Sequence, residues 1–245
     1  MQDEFNIQKL PQDINKMKRM NQEELKKLHG MHYVNEFNKR NAHPYRLERL
    51  IKLIKFNNRD IVLDAGCGNG ILLDFINKKI KFYYGVDFSR EFIRVSVERQ
   101  KANKISNAKF FNVDIEEFCK KNKERFDKIF AFDLLEHLYD DQFIKIFSMF
   151  YYSLKPNGKI FIHTPNRDYI LEVLKNKKIL KKQIEHIGIR NATEYLKLLK
   201  KTGFKNIKTM YLPHYIKLLS FFDFLRNIPM VGKYFEARLF IICKK

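Results

Sequence analysis

The chain has 245 residues, 45% of them hydrophobic and 31% charged. This length fits one α/β domain with an appendage, and the composition excludes disordered, collagen-like and low-complexity chains. The 48 Lys and Arg against 28 Asp and Glu leave a formal charge of +20, which suits a polyanion or an anionic membrane surface and equally suits a strongly AT-biased codon usage, since Lys, Asn, Ile and Phe abound and Trp is absent.

The N-terminus opens with Gln2-Asp3-Glu4 and lacks the apolar stretch of a signal peptide. Residues 1–55 read as an N-terminal helical cap, in which Leu47, Leu50, Ile51 and Ile54 share one helix face. From residue 56 to 245, short apolar runs alternate with amphipathic stretches, the pattern of repeated βα units around a parallel sheet. Strands are predicted over Ile61–Asp64, Phe82–Asp87, Lys109–Asp114, Lys128–Asp133 and Lys159–His163, four of them ending in aspartate. Helices are predicted around Ile71–Asn77, Arg90–Ala102, Gln142–Leu154 and Tyr169–Leu180. Pro156-Asn157-Gly158 has the chemistry of a tight turn. Thr193 is the expected N-cap of a helix running to Lys201 and stopped by Gly203. Two more strands, Ile207–Leu212 and Leu239–Lys244, flank an apolar insertion over residues 212–237. Cys67, Cys119 and Cys243 show no CxxC spacing, so neither a disulfide framework nor a zinc site is expected, and a cytoplasmic setting fits. No apolar run approaches the roughly 18 residues of a spanning helix.

The first strand runs into Asp64-Ala65-Gly66-Cys67-Gly68-Asn69-Gly70, with glycine at alternate positions. Without Cβ atoms Gly66, Gly68 and Gly70 let the backbone turn sharply and a ligand lie against it, while Asn69 or Gly70 opens a helix whose free N–H groups face that ligand. The spacing is DxGxGxG, unlike the GxGxxG that holds a dinucleotide pyrophosphate. Asp87, at the second strand tip and followed by Phe88, is placed to accept from both ribose hydroxyls; Asp114 is placed to accept from an adenine amino group, with Ile115 packed on the ring.

In this order the residues resemble class I S-adenosylmethionine-dependent methyltransferases, from about Val62 to Gly203. The resemblance implies a Rossmann-like, doubly wound, seven-stranded, mostly parallel sheet whose last strand inserts antiparallel beside the fifth. It also implies S-adenosylmethionine as cofactor and S-adenosylhomocysteine as product, held by Asp64, Gly66, Cys67, Gly68, Asn69, Gly70, Asp87, Phe88, Asp114, Ile115 and, at the fourth strand tip, Asp133.

Methyl transfer to oxygen needs an acceptor held in line and help with its proton. The fourth strand tip reads Phe132-Asp133-Leu134-Leu135-Glu136-His137, so a helical turn there would put Asp133, Glu136 and His137 on one face. Three readings stand: a divalent ion on Asp133, Glu136 and His137, with an oxygen share that favours Mg²⁺ or Mn²⁺; His137 or His186 as a metal-free base; and an ordinary helix start. Glu136-His137, Thr164-Pro165-Asn166 and His186 are similar to the ubiquinone-biosynthesis O-methyltransferases and to the small-RNA 2′-O-methyltransferases. That resemblance implies a metal on a Glu-x-x-Glu-His motif, with His186 as a further ligand, although Asp133 stands where those groups have the first Glu. Glu36-Phe37 and Pro44-Tyr45-Arg46-Leu47 are also similar to the ubiquinone group, which implies Arg46 on the cofactor carboxylate.

Between the last two strands, Tyr215–Arg226 and Ile228–Val231 are apolar and aromatic, and suit a substrate lid, a membrane-surface contact or packing on the sheet. The expected function is O-methylation of a small-molecule phenolic, quinone-precursor or sugar hydroxyl. The alternatives are ribose methylation in RNA, for which the charge speaks, and a cofactor-binding protein without catalysis. Oligomeric state is not legible in the sequence.

Overall fold

The computed structural model describes residues 44–181, 185–214, 219 and 221–245. Most of the expected N-terminal cap, including Glu36-Phe37, lies outside the described residues, as do 215–218 and 220 of the apolar insertion. The described part of the cap is helix α1 (Pro44–Lys52). Leu47, Leu50 and Ile51 on it, and Ile54 just beyond, are all buried, as their helical spacing requires.

Seven strands form one sheet in the order β3-β2-β1-β4-β5-β7-β6. They are β1 (Ile61–Ala65), β2 (Phe82–Asp87), β3 (Ala108–Asn112), β4 (Phe126–Phe132), β5 (Leu154–Pro165), β6 (Asn206–Leu212) and β7 (Arg238–Lys244). The first five pair in parallel. β7 runs antiparallel to both β5 and β6. This is the Rossmann-like doubly wound sheet that the resemblance implied, with its last strand reversed beside the fifth.

Alternation along the strands builds a core on each face. Leu63, Ile129 and Ile241 face α4 (Ile115–Lys120), α5 (Asp140–Ser153) and α7 (Ala192–Lys201). Their neighbours Val62, Phe130 and Phe240 face α1 and α2 (Ile71–Ile76). Because both faces are covered, the central strands read as near-continuous apolar runs. α5 contributes Phe143, Phe147 and Phe150, the first two stacked with ring centroids 4.2 Å apart, each worth about 1.5–3 kcal/mol of burial. The remaining helices are α3 (Arg90–Ala102) and α6 (Ile170–Asn176). No helix among the described residues is long and apolar enough to cross a membrane.

Several expected boundaries move, each for a local reason. β3 stops at Asn112, and Asp114 caps α4 by accepting from Glu116 N at 2.8 Å. β4 stops at Phe132, because Asp133 takes a left-handed φ of 50° that no strand continues through. Pro156-Asn157-Gly158 sits inside β5 as a bulge: Asn157 has φ 65°, and the β4–β5 register shifts between Phe126 and Lys128. α6 ends at Asn176 instead of Leu180. The N-cap of α7 is Asn191, in a reciprocal capping box with Glu194, and not Thr193. Gly203, at φ 99°, supplies the expected stop.

The capping box gives a stability test. Asn191→Ala leaves the Glu194 N–H without the Oδ1 that lies 3.1 Å away, and is expected to cost about 1 kcal/mol. In a thermal melt that is a Tm decrease of roughly 2–4 °C.

Candidate active site

The carboxyl ends of β1, β2 and β4 surround a cavity of about 260 Å³, near the lower end of small-molecule sites. Its floor is the glycine loop, in which Gly66, Gly68 and Gly70 have φ of 72°, 52° and 71°. At Gly70 a Cβ would also lie 3.0 Å from Ser96 and Phe110, so glycine is required on two counts. Gly70 serves as the left-handed N-cap of α2 and does not itself line the cavity.

The loop is held before any ligand arrives. Gly66 N and Cys67 N both donate to Val86 O, at 2.8 and 3.0 Å. Ser96 Oγ donates to Gly68 O at 2.8 Å, and Arg99 Nε to Asn69 O at 3.0 Å. Asp87 accepts from Gly68 N at 3.0 Å with one oxygen and from Ser89 N at 2.8 Å with the other. Asp87 thus anchors the glycine loop to the start of the segment after β2 with both of its oxygens.

Gly66, Cys67, Gly68, Asn69 and Asp87 line the cavity, as do Phe88, Asp114 and Ile115. One oxygen of Asp114, Oδ1, caps α4. The Cys67 thiol is pushed well above its ordinary pKa by burial, reinforced by Asp87 and Asp64, and so stays an uncharged wall atom. Asp64 also lines the cavity and accepts a hydrogen bond from Tyr83 Oη. Burial raises its carboxyl from 3.8 to about 7, against the lowering effect of Tyr83 and with help from Asp87. Sequence reasoning did not anticipate the far wall. Leu134, Leu138 and Gln142 line it, and Lys145 on α5 reaches Glu116 on α4 at 2.6 Å. These residues carry no local motif.

Arg46 and Asp133 lie in the cavity wall as an ion pair. Asp133 Oδ1 also meets Arg238 Nη1 at 3.2 Å and His163 Nδ1 at 3.3 Å. Burial alone would raise the Asp133 carboxyl, but Arg46, His163 and Arg238 together hold it well below the usual range. His163 is pushed down to about 4 by its burial, and is neutral.

Beyond β4 the chain forms a tight 3₁₀ turn over Leu135–His137. Glu136 is buried and accepts from Thr164 Oγ1 at 3.0 Å. Burial, then the charge of Asp133, raises its carboxyl to about 8. His137 lines the cavity, and its Nδ1 is 3.0 Å from Glu185 O. A carbonyl only accepts, so Nδ1 carries a proton, and in the neutral ring the lone pair sits on Nε2. The His186 ring stands 5.2 Å from that of His137, edge to face. Burial and the neighbouring His137 lower it to about 2. Glu136 and His186 lie behind the cavity wall, not in it.

The expected ligand set therefore changes. Ligand atoms of Glu136, His137 and His186 all lie within 4.8 Å of one another. Asp133 is not among them, because the two arginines and His163 engage it.

The loop that delivers His186 is tied down by two residues that sequence reasoning missed. Gly188 N donates to Glu136 O at 2.8 Å, and a Cβ on Gly188 would lie 2.2 Å from Leu138 O. Arg190 donates to Gly188 O at 2.6 Å, Leu138 O at 2.8 Å and Asp140 Oδ1 at 2.5 Å. Its guanidinium also lies 5.6 Å from the Phe143 ring centre.

Sheet, glycine loop and strand-tip carboxylates define an α/β protein that binds an adenosine-type cofactor at the carboxyl edge of its strands. Residues 37–209 match the family described as a methyltransferase domain. The ubiquinone biosynthesis O-methyltransferase of Coxiella burnetii is 33% identical over 126 residues, covering 51% of this chain and 52% of that protein. The chain thus spans about half the length of that curated relative. A SAM-dependent methyltransferase from Archaeoglobus fulgidus superposes with a TM-score of 0.67 at 19% identity, over 88% of this chain and 100% of that one. Phosphoethanolamine N-methyltransferase 2 of Haemonchus contortus, solved with S-adenosyl-L-methionine, gives 0.62 at 20% identity over 82% of this chain and 52% of that one. The chain belongs to the methyltransferase-domain family.

Two measurements test the site. Asp87→Ala removes the carboxylate that anchors the glycine loop, so calorimetric affinity for S-adenosylhomocysteine is expected to fall at least about tenfold. Asp64, with its folded pKa raised to about 7, binds more protons folded than unfolded between pH 3.8 and about 7. Its stabilising contribution is complete below that window and is lost as pH rises through it. Urea midpoints of Asp64→Asn across the window should therefore fall less steeply with pH than those of the wild type; parallel slopes would contradict the assignment.

Proposed function

We propose that this chain methylates the hydroxyl oxygen of a small molecule, with His137 as the proton acceptor. The observation that carries the reading is the His137 tautomer: Nδ1–H is committed to Glu185 O, which puts a basic Nε2 on a residue that lines the cofactor cavity. S-adenosylmethionine, when bound, supplies an electrophilic methyl group on a sulfonium with a good leaving group. The glycine loop, Asp87 and Asp114 orient the adenosine part, and Arg46 offers a guanidinium to the methionine carboxylate. What remains for the protein is to hold the hydroxyl in line and take its proton, and a positioned histidine does this near neutral pH. Glu136, protonated and bonded to Thr164 behind His137, keeps a second negative charge from building beside Asp133.

The O-methyltransferase of Coxiella burnetii supports oxygen as the acceptor; the phosphoethanolamine enzyme keeps a nitrogen acceptor as the competing outcome. Ribose methylation in RNA has the +20 charge behind it, and that charge alone does not favour RNA over an anionic surface. Against a non-catalytic cofactor-binding role stands the convergence of Glu136, His137 and His186 beside the cavity.

A metal-assisted version has one observation of its own, the mutual approach of those three ligand groups. One carboxylate with two imidazoles suits Mn²⁺ or Fe²⁺ better than Mg²⁺, and an ion there would polarise the acceptor hydroxyl.

Production of S-adenosylhomocysteine with phenolic, quinone-precursor and sugar acceptors tests the reading. His137→Ala is expected to lower kcat by roughly 10²–10⁴-fold while calorimetric affinity for S-adenosylhomocysteine stays unchanged. Activity that survives chelation assigns His137 as a simple base; activity lost in EDTA and restored by Mn²⁺ assigns the metal-assisted route. Turnover confined to amines would sink oxygen methylation.

A further inference from the structure

The buried face of α7 consists of Tyr195, Leu198 and Leu199. Packing alone would be met by an apolar residue at all three positions, and phenylalanine would fill the space that the Tyr195 ring fills. A buried hydroxyl costs free energy unless it is bonded, so the partners of this one state its use.

Tyr195 Oη donates to Gly188 O at 3.3 Å and lies 3.3 Å from Thr164 Oγ1 on β5. Burial, then Glu136, raises its phenol to about 12, so the proton stays on it. Thr164 Oγ1 is bonded in turn to Glu136 Oε2 at 3.0 Å, and Gly188 N donates to Glu136 O at 2.8 Å. The four residues therefore close a circuit, from the Glu136 side chain through Thr164, Tyr195 and the Gly188 backbone to the Glu136 carbonyl. Thr164 and Tyr195 are fully buried and Glu136 is 2% exposed. Water does not compete for these side-chain contacts, and leaving one unmade is correspondingly costly.

The circuit brackets both histidines. Glu136 precedes His137, and Gly188 follows His186 by two positions. Between these points His137 Nδ1 meets Glu185 O at 3.0 Å, so the side of the ring that carries the proton depends on where the 185–190 loop lies. Tyr195 braces that loop with its ring as well. The Arg190 guanidinium lies 5.7 Å from the ring centre and donates to Gly188 O, the same carbonyl that Tyr195 bonds. Phe143 of α5 packs on the other partner of this cluster, its ring centre 6.1 Å from that of Tyr195, which fixes the phenol in turn.

We propose that Tyr195 is a positioning residue for His137: its hydroxyl, through Thr164 and Gly188, holds the turn after β4 and the 185–190 loop in the register that keeps the His137 proton on Nδ1. The proposal rests on the reading of His137 as proton acceptor. Tyr195 does not line the cavity, so it acts on the chemistry only through these bonds.

The test is made on the full chain saturated with S-adenosylhomocysteine, its histidine rings labelled with ¹⁵N. Long-range ¹H–¹⁵N spectra read the tautomer of His137, whose signals are identified by their loss in His137→Ala, and amide hydrogen exchange reads the loop. The wild type is expected to show the Nδ1–H tautomer and slow exchange at Gly188 N. Tyr195→Phe keeps the ring and removes only the hydroxyl. It is expected to mix the two tautomers and to speed exchange at Gly188 roughly five- to tenfold, the effect of one lost hydrogen bond, while exchange at residues 66–70 and affinity for S-adenosylhomocysteine stay unchanged. Thr164→Val is expected to reproduce both changes, and Thr164→Ser, which restores the hydroxyl, to behave as the wild type; this pair decides the matter should Tyr195→Phe fold poorly. A tautomer and exchange rate left as in the wild type by Tyr195→Phe or by Thr164→Val overturn the proposal. Exchange that speeds up equally at residues 66–70 also overturns it, since Tyr195 would then serve the core alone. A wild-type His137 with its proton on Nε2 sinks the base assigned to it and this proposal together, whereas a wild-type Nδ1–H tautomer that neither variant disturbs sinks this proposal alone.

Discussion

The partly buried carboxylate of Asp133 is the point on which the cavity's charged wall depends. It sits at a left-handed turn at the end of β4 and receives Arg46 from α1, Arg238 from β7 and the imidazole of His163 from β5. Four segments distant in sequence are thereby pinned to one atom group. Removing one partner weakens the compensation of the charges that remain in this partly water-excluded wall. The two guanidinium groups keep Asp133 ionised, and Arg46 also lines the cavity. The ionised Asp133 acts in the opposite sense on Glu136, which burial and that neighbouring charge keep protonated up to about pH 8. Two carboxyl groups three residues apart are thus driven to different protonation states by their surroundings, one as an ion-pair anchor and one as a neutral hydrogen-bonding group.

The cofactor half was legible in the sequence for a physical reason. A parallel strand covered on both faces must be an apolar run, and a ligand at its carboxyl end is met by the residues at or just past the strand tip: glycine after β1, Asp87 closing β2, Asp114 just past β3. Each of these signals is local. The departures are local too. α4 has six residues, too few to show a helical period, and its only announcement is Asp114 followed by Glu116 and Glu117 in the first turn. The spacing of Asp133 from Glu136 and His137 suggests a shared ligand set, whereas a left-handed backbone and two arginines from elsewhere decide its direction.

The catalytic half was legible only in part. His137 and His186 stand out as residues, but the contact between them depends on Gly188 and Arg190, whose partners Leu138 and Glu136 lie about fifty positions earlier. Without alternation or a motif, a loop glycine and a loop arginine cannot be told from ordinary surface residues. The structure supplies what is missing: a carbonyl 2.2 Å from where a side chain on Gly188 would begin, and a guanidinium whose donors bind three separate groups around it.

This division comes from how the molecule is built. The glycine-loop side of the cavity is assembled from strand ends, fixed by the register of the sheet. The His137 side is assembled from the 3₁₀ turn after β4, with the 185–190 loop packed against it, and the sheet positions these segments without dictating their chemistry. Arg190 and Gly188 therefore do for the loop what Asp87 does for the glycine floor: each uses backbone hydrogen bonds to make a non-repetitive segment rigid enough to aim a side chain. Because those bonds go to carbonyls and amides, the loop can keep its shape while the side chains it carries change.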